Sequence, residues 1–328
     1  MANIVKDIAQ LVGHTPLYEF ARYGKVHGLK ATVLGKLEYF NPSGSIKDRT
    51  ALNMILDAEE KGLIKPGDTI VEDTSGNTGI GLAAFAANRG YKLKIFLEAD
   101  QSIERRKILK AYGASVKFTT DVPGLKEAKE NGTFSLKLYQ ELIEDYCRKQ
   151  DTKHFFTDQL SNESNPSVHY KYTGPEIWED TDGKVDILIA TAGTGGTITG
   201  LARYLREKKP DVKIVAVQAD INSRTGAGEH PKTIDGIAPF AGDGVKEECK
   251  APFMAGFDYD EYIDVSGADA YATGLEIART EGILLGQSAS AAMHAARQVA
   301  ARDENAGKNI VVILADNGMK YLSTQMYD

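Results

Sequence analysis

The stretch VDILIATAGTGGTITGLARYLREKKP, residues 185–210, carries the pattern from which the fold is read. Its opening run is apolar and β-branched, of strand length and without polar alternation, as in a strand buried on both faces. Glycines 193, 195 and 196 stop the run, and apolar positions then recur at helical spacing. KIVAVQAD (213–220) follows as a second buried strand. The same unit recurs along the chain. TIVEDT (69–74) enters SGNTG and the helix IGLAAFAANRG (80–90), and KLKIFLEA (92–99) precedes SIERRKILKAYG (102–113) and SVKFTT. ASAAMHAARQVAARDE precedes NIVVILAD (309–316). Such alternation predicts parallel sheets covered by helices on both faces.

At 328 residues the chain is long for one simple core, so two doubly wound α/β domains are expected, with a cleft between them. The polar helix TFSLKLYQELIEDYCRKQD (133–151) reads as the junction. It divides a smaller, mobile domain, 46–152, from a larger one made of 1–45 and 153–328. The 46 acidic against 39 basic residues give a net charge of −7, which argues against a nucleic-acid partner. Two cysteines, Cys147 and Cys249, make no disulfide framework and fit a reducing compartment. The N-terminus lacks the apolar core of a signal peptide, and no apolar run reaches membrane-spanning length. A soluble, cytoplasmic protein without a membrane partner is expected. The six histidines are scattered without metal-ligand spacing, so no metal is expected and each is read as structural or exposed.

Three glycine-rich turns compete for the chemistry. In ATAGTGGTITG (190–200) the glycines let backbone N–H groups approach an anion at a helix N-terminus, and Thr194 and Thr197 add hydroxyl donors. A turn without a ligand needs one glycine; Gly193, Gly195 and Gly196 together describe a phosphate cup. A dinucleotide fingerprint wants a third glycine where Ile198 stands, although Asp220 ends the next strand as that fingerprint requires. The second turn, EDTSGNTGIGLA (72–83), crowds short polar side chains around Gly76 and Gly79, which suits a carboxylate. The third, NPSGSIKDRT (41–50), opens a helix in which Leu52, Ile55 and Leu56 recur and Gly62 closes the pattern. Lys47 and Arg49 stand there at the positive end of the helix dipole, where cations are disfavoured by up to about 1 kcal/mol. Either they swing into solvent, or the lysine is not a cation in the working protein.

GSIKDR, TSGNTG, QLSNESNP, YTGPEIW, GTGGTITG and KYLST, in this order, resemble the motifs of cysteine synthases (O-acetylserine sulfhydrylases). These are fold type II pyridoxal-phosphate enzymes, related to cystathionine β-synthase and the tryptophan synthase β subunit. The resemblance runs from VGHTPL to KYLST, nearly the whole chain. It implies that Lys47 carries pyridoxal 5′-phosphate as an internal aldimine and later removes the substrate's α-proton, the helix end and Arg49 helping to depress its pKa. By the same resemblance Asn77 faces the cofactor's 3′ oxygen, and Gly193, Thr194, Gly195, Gly196 and Thr197 hold its phosphate. Thr74, Ser75, Gly76, Thr78 and Gln159 take the substrate carboxylate, with Gly236 at the cleft. A small amino-acid substrate, an aminoacrylate intermediate and a homodimer are implied as well.

Three stretches depart from the family. Near the pyridine nitrogen stands Gly286-Gln287-Ser288-Ala289-Ser290, with Ala289 at the usual serine position, so either Ser288 or Ser290 faces the nitrogen or no side chain does. TIDGIAPF (233–240) puts Asp235 where the family tends to be neutral: a solvated loop carboxylate, or a general base. DVPGLKEAKENGTFSLK (121–137) lacks the family's wording. The expected activity is β-replacement, cysteine synthesis from O-acetylserine and sulfide, with hydrogen sulfide production from cysteine as the alternative. A nicotinamide-dependent oxidoreductase and a non-catalytic binding protein are the remote readings.

Overall fold

A computed structural model describes residues 4–74, 76–97, 102–133, 135–150, 153–224, 232–242, 245 and 250–328. Among the described residues ten strands form two sheets. They are β1 (Leu17–Glu19), β2 (Thr32–Leu37), β3 (Thr69–Asp73), β4 (Lys92–Leu97), β5 (Ser115–Phe118), β6 (His154–Phe156), β7 (Ile187–Thr191), β8 (Lys213–Ala219), β9 (Glu261–Val265) and β10 (Asn309–Leu314). The six-stranded sheet runs β1-β2-β10-β7-β8-β9 and the four-stranded one β5-β4-β3-β6. Every pairing is parallel except that of β1 with β2.

The continuous apolar runs have the cause inferred for them. In the larger sheet Ile187, Ile189, Val215 and Val312 pack into one core, and their neighbours Leu188, Ile214 and Val311 into a second core on the other face. Successive strand residues point to opposite faces, so burial on both leaves no position for alternation. The smaller sheet is likewise sandwiched: Ile70 and Ile95 face one core, Val71 and Phe96 the other.

β2 gave little signal because TVLGKL holds a glycine and a lysine. A Cβ at Gly35 would crowd Phe20 and Leu314. The fully buried Lys36 is matched by Glu176 and Asp180, each 3.1 Å away. A charge at a core position is sustained by such partners. The helix of the third glycine turn spans Lys47–Glu60 and begins at the lysine itself, with Leu52 and Ile55 buried and Leu56 at its exposed margin. The helix Gln287–Ala300 is alanine-rich and buried along most of its length between the larger sheet and the helix Gly267–Glu281. No helix among the described residues is long and apolar enough to cross a membrane.

Candidate active site

A cavity of about 350 Å³ opens between the two sheets, beyond the carboxyl ends of β3 and β7. Ligand crevices form there in parallel α/β folds, because the helices that follow the strands point their N-termini into it.

Lys47 lines this cavity from the first turn of its helix. Burial lowers its pKa from the ordinary 10.5 to about 8, and no carboxylate offsets the loss of solvent. Arg49 makes no contribution to that shift, contrary to the sequence-based expectation. Its guanidinium turns away and forks onto Glu38 (Nε–Oε2 2.7 Å) and Glu176 (Nη2–Oε2 2.6 Å), nearly excluded from solvent. The first turn thus holds one compensated cation and one uncompensated amine.

The phosphate-type cup is the loop joining β7 to the helix Gly196–Lys208. Gly195 adopts φ +89°, and its Cβ would press on Met254 and Phe253 rather than on the cup. At Gly193 a Cβ would overlap the carbonyl of Gly236, and at Gly196 the side chain of Asn165. The glycines are therefore needed to bring chain segments together as well as to expose amides. Thr194 Oγ1 accepts from Gly196 N–H (3.2 Å) and Asn165 Nδ2 (2.9 Å), which leaves its hydroxyl hydrogen for an anion. Thr197 Oγ1 lies 3.2 Å from Nε2 of His169, a fully buried imidazole kept neutral by burial and by the nearby Lys47 and Arg49 charges. His169 opens a one-turn π-helix, His169–Thr173, a distortion common beside functional sites.

Opposite lies the turn after β3. Ser75 falls outside the described residues. Thr74 Oγ1 accepts from Gly76 N–H (3.2 Å), and Thr78 Oγ1 donates to Gln159 Oε1 (2.6 Å). Gly76 has φ +152°, and a Cβ there would sit 2.5 Å from Arg105 Cδ. Asn77 begins the next helix and faces the cavity. Of the two serines that followed Gly286, only Ser288 reaches the cavity. Ser290, expected at the cofactor, instead packs its Oγ near Gly274 and Met326. Residues two apart on a helix point about 200° away from each other, so both cannot face one ligand.

Asp235 is not a solvated loop carboxylate. It lines the cavity, 15 % exposed, and accepts from Arg105 Nη1 at 3.0 Å, while its N–H donates to Gln287 Oε1 at 2.9 Å. Gly236 lines the same wall. The Arg105–Asp235 pair crosses the cleft, as do Asn77 Nδ2 to Asp316 Oδ2 (2.7 Å), Lys320 Nζ to Asn77 Oδ1 (3.0 Å) and Ser323 Oγ to Glu104 Oε2 (2.6 Å). Sequence reasoning passed over Arg105, Asn165, Asp316, Lys320 and Tyr321 as individuals. Asn165, Lys320 and Tyr321 stand inside QLSNESNP and KYLST, so the signal lay in motifs that were read only as wholes.

An uncompensated lysine amine, a glycine cup for a phosphate and a second anion-binding turn, all on one cavity, fit pyridoxal phosphate. The fold and site therefore define a pyridoxal-phosphate enzyme with two α/β units around a shared cleft. Comparison with known proteins agrees: residues 8–316 match the family described as pyridoxal-phosphate dependent enzyme, and the chain belongs to that family. It is 39 % identical to cysteine synthase A of Escherichia coli K12, covering 100 % of this chain and 97 % of that one. A crystal structure of cysteine synthase from Entamoeba histolytica superposes with a TM-score of 0.82 at 35 % identity, covering 99 % of this chain and 91 % of that chain. A hydrogen sulfide-producing enzyme from Fusobacterium nucleatum gives 0.79 at 34 %, covering 97 % and 100 %.

Proposed function

We propose that the protein is a cysteine synthase: it exchanges the acetate of O-acetylserine for sulfide at the β-carbon. The observation that carries this is the buried Lys47 amine set between two anion-binding turns. The loop 193–197 and the following helix N-terminus hold the phosphate, Thr194 donating its hydroxyl. Thr74, Thr78 and Gln159, with Ser75 and Gly76 of the same turn, take the substrate carboxylate; Asn77 and Ser288 border the cofactor ring. Pyridoxal phosphate supplies the electron sink that makes the substrate's α-proton removable. Lys47, its pKa lowered by burial to about 8, is free amine to about a tenth at pH 7, far more than an ordinary lysine, and is the base placed to take that proton. Acetate leaves the β-carbon and sulfide takes its place. The smaller unit, read as 46–152, closes on the larger to exclude water, which the cross-cleft bonds support.

A second reading rests on Asp235, whose carboxylate faces the cavity. As a general base it would activate water or a thiol in an enzyme that releases hydrogen sulfide from cysteine. Arg105 weakens the argument for it: a paired carboxylate repels incoming hydrosulfide far less than a bare one, so sulfide capture is not penalised. We read the protein further as a cytoplasmic homodimer. A groove of about 530 Å³ beside Leu52, Leu56 and Tyr172 supports the dimer, since the last two are exposed; sedimentation tests it.

The decisive experiment compares turnover of O-acetylserine plus sulfide with turnover of cysteine alone, in wild type and Lys47→Ala. Synthesis should dominate in the wild type, and the variant should lose both activities by orders of magnitude together with the cofactor's visible band. Cofactor trapped by borohydride on a lysine other than Lys47 would overturn the assignment.

A further inference from the structure

Lys320 is nearly excluded from solvent at 5 % exposure, and so far it has entered only through its bond to Asn77 across the cleft. Burying an ammonium is expensive unless its hydrogens are placed. Its Nζ donates to Asn77 Oδ1 at 3.0 Å and to the carbonyl of Gly44 at 3.3 Å. Gly44 lies three residues before Lys47, on the loop that delivers it to the cavity. One side chain therefore ties together the two segments that carry Asn77 and Lys47.

The other end of the Asn77 amide is held as firmly. Nδ2 donates to Asp316 Oδ2 at 2.7 Å, and Tyr321 O–H donates to the same oxygen at 2.7 Å. An ammonium only donates and a carboxylate only accepts, so the amide has one permitted orientation: Oδ1 to Lys320, Nδ2 to Asp316. Asn77 faces the cavity, and the amide nitrogen carries one more hydrogen than Asp316 consumes. The donor available to a ligand is thus fixed by two groups that do not line up with the ligand themselves.

We propose that Lys320, with Asp316 opposite, is a positioning residue for the cofactor: it locks Asn77 as a donor to the cofactor's ring oxygen and registers that donor against the Lys47 loop. The proposal rests on the cofactor reading above and deepens it. Lys320 acts through Asn77, so its effect must disappear when Asn77 does.

The test is a double-mutant cycle on the holoenzyme, with Lys320→Met, Asn77→Ala and the pair, read by equilibrium dialysis of pyridoxal phosphate and by the position of the visible band. Lys320→Met should weaken retention about tenfold, the scale of one charge-assisted hydrogen bond, and move the band. Lys320→Arg should restore most of both, and in the Asn77→Ala background Lys320→Met should change retention less than about twofold. Lys320→Leu, which likewise has no donor, supplies the same comparison if Lys320→Met does not fold. An unmoved band with wild-type retention, or an equal loss with and without Asn77, overturns the proposal. A wild-type protein that takes up no cofactor overturns the underlying reading instead.

Discussion

Replacing Glu176 by glutamine removes one charge from the cluster that anchors the first turn of the Lys47 helix while keeping size and one acceptor. In the native protein Arg49 bonds Glu176 through Nη1 (2.7 Å) and Nη2 (2.6 Å), and Lys36 stands 3.1 Å away. These two cations and their hydrogen bonds outweigh burial and hold the Glu176 carboxyl at about 2, against an ordinary 4.5. That depression corresponds to roughly 3 kcal/mol of native-state stabilisation. The side chain is 11 % exposed, so solvent screening removes little of it. The sign follows from linkage: the native state binds the proton less readily than the unfolded chain. The contribution is full above pH 4.5 and is lost as the pH falls toward 2. Glu176→Gln should therefore lower the thermal midpoint at neutral pH by roughly 4–5 °C for a chain of 328 residues, and the gap should narrow in acid. Trp178, the protein's single tryptophan, lies on the same helix, Gly174–Asp180, so its fluorescence reports on this element. A variant within about 1 kcal/mol of wild type at neutral pH, or a gap that does not depend on pH, would refute the reasoning. The cluster would then be one of the buried ion pairs whose desolvation cancels their attraction.

Gly196→Ala should cut cofactor retention about tenfold or more, because the new methyl displaces Asn165 from Thr194; dialysis measures it, and unchanged retention would place the cup elsewhere. Capture of pyridoxal phosphate by apoprotein should speed up as pH rises through about 8 rather than 10.5, since only the neutral Lys47 amine attacks; appearance of the visible band gives the profile. Asp235→Asn should lower sulfide release from cysteine about 10²-fold if Asp235 is a general base, whereas loss of a cleft-crossing bond alone should cost both reactions about equally. Parallel assays of the two reactions distinguish these outcomes.

The parallel strands at the centre of each sheet were legible because burial on both faces leaves an uninterrupted apolar run; β7, β8 and β10 are the clearest cases. β2 was not, since Lys36 reads as a surface residue until Glu176 and Asp180, far away in the chain, are seen beside it. At the site, residues within a glycine turn could be located from local pattern, and Lys47, Asn77 and Thr194 do converge on one cavity. Residues whose role depends on a distant partner could not. Arg49 reads as a cation beside Lys47 and is compensated by Glu38 and Glu176. Ser288 and Ser290 are equivalent as text and separate only when the helix is wound. Asp235 carries no mark of Arg105, which lies 130 residues earlier in the chain.

The order of strands in the larger sheet has a consequence for biosynthesis. β2 pairs along its full length with β10, Thr32 against Asn309 through Leu37 against Leu314. The last strand of the smaller sheet ends at Phe156, so on a translating ribosome that sheet is complete while β10, which begins at Asn309, is still unmade. β2, among the first strands synthesised, has to wait for β10, among the last, and long-range parallel pairing of this kind closes slowly. Asp316, Lys320 and Tyr321 emerge just behind β10. A nascent chain released early would own the lysine and both glycine cups, yet lack the side chains that hold Asn77 in place. Catalytic competence then waits for the segment 316–321, which follows β10 and lies more than two hundred residues beyond Asn77 in the chain.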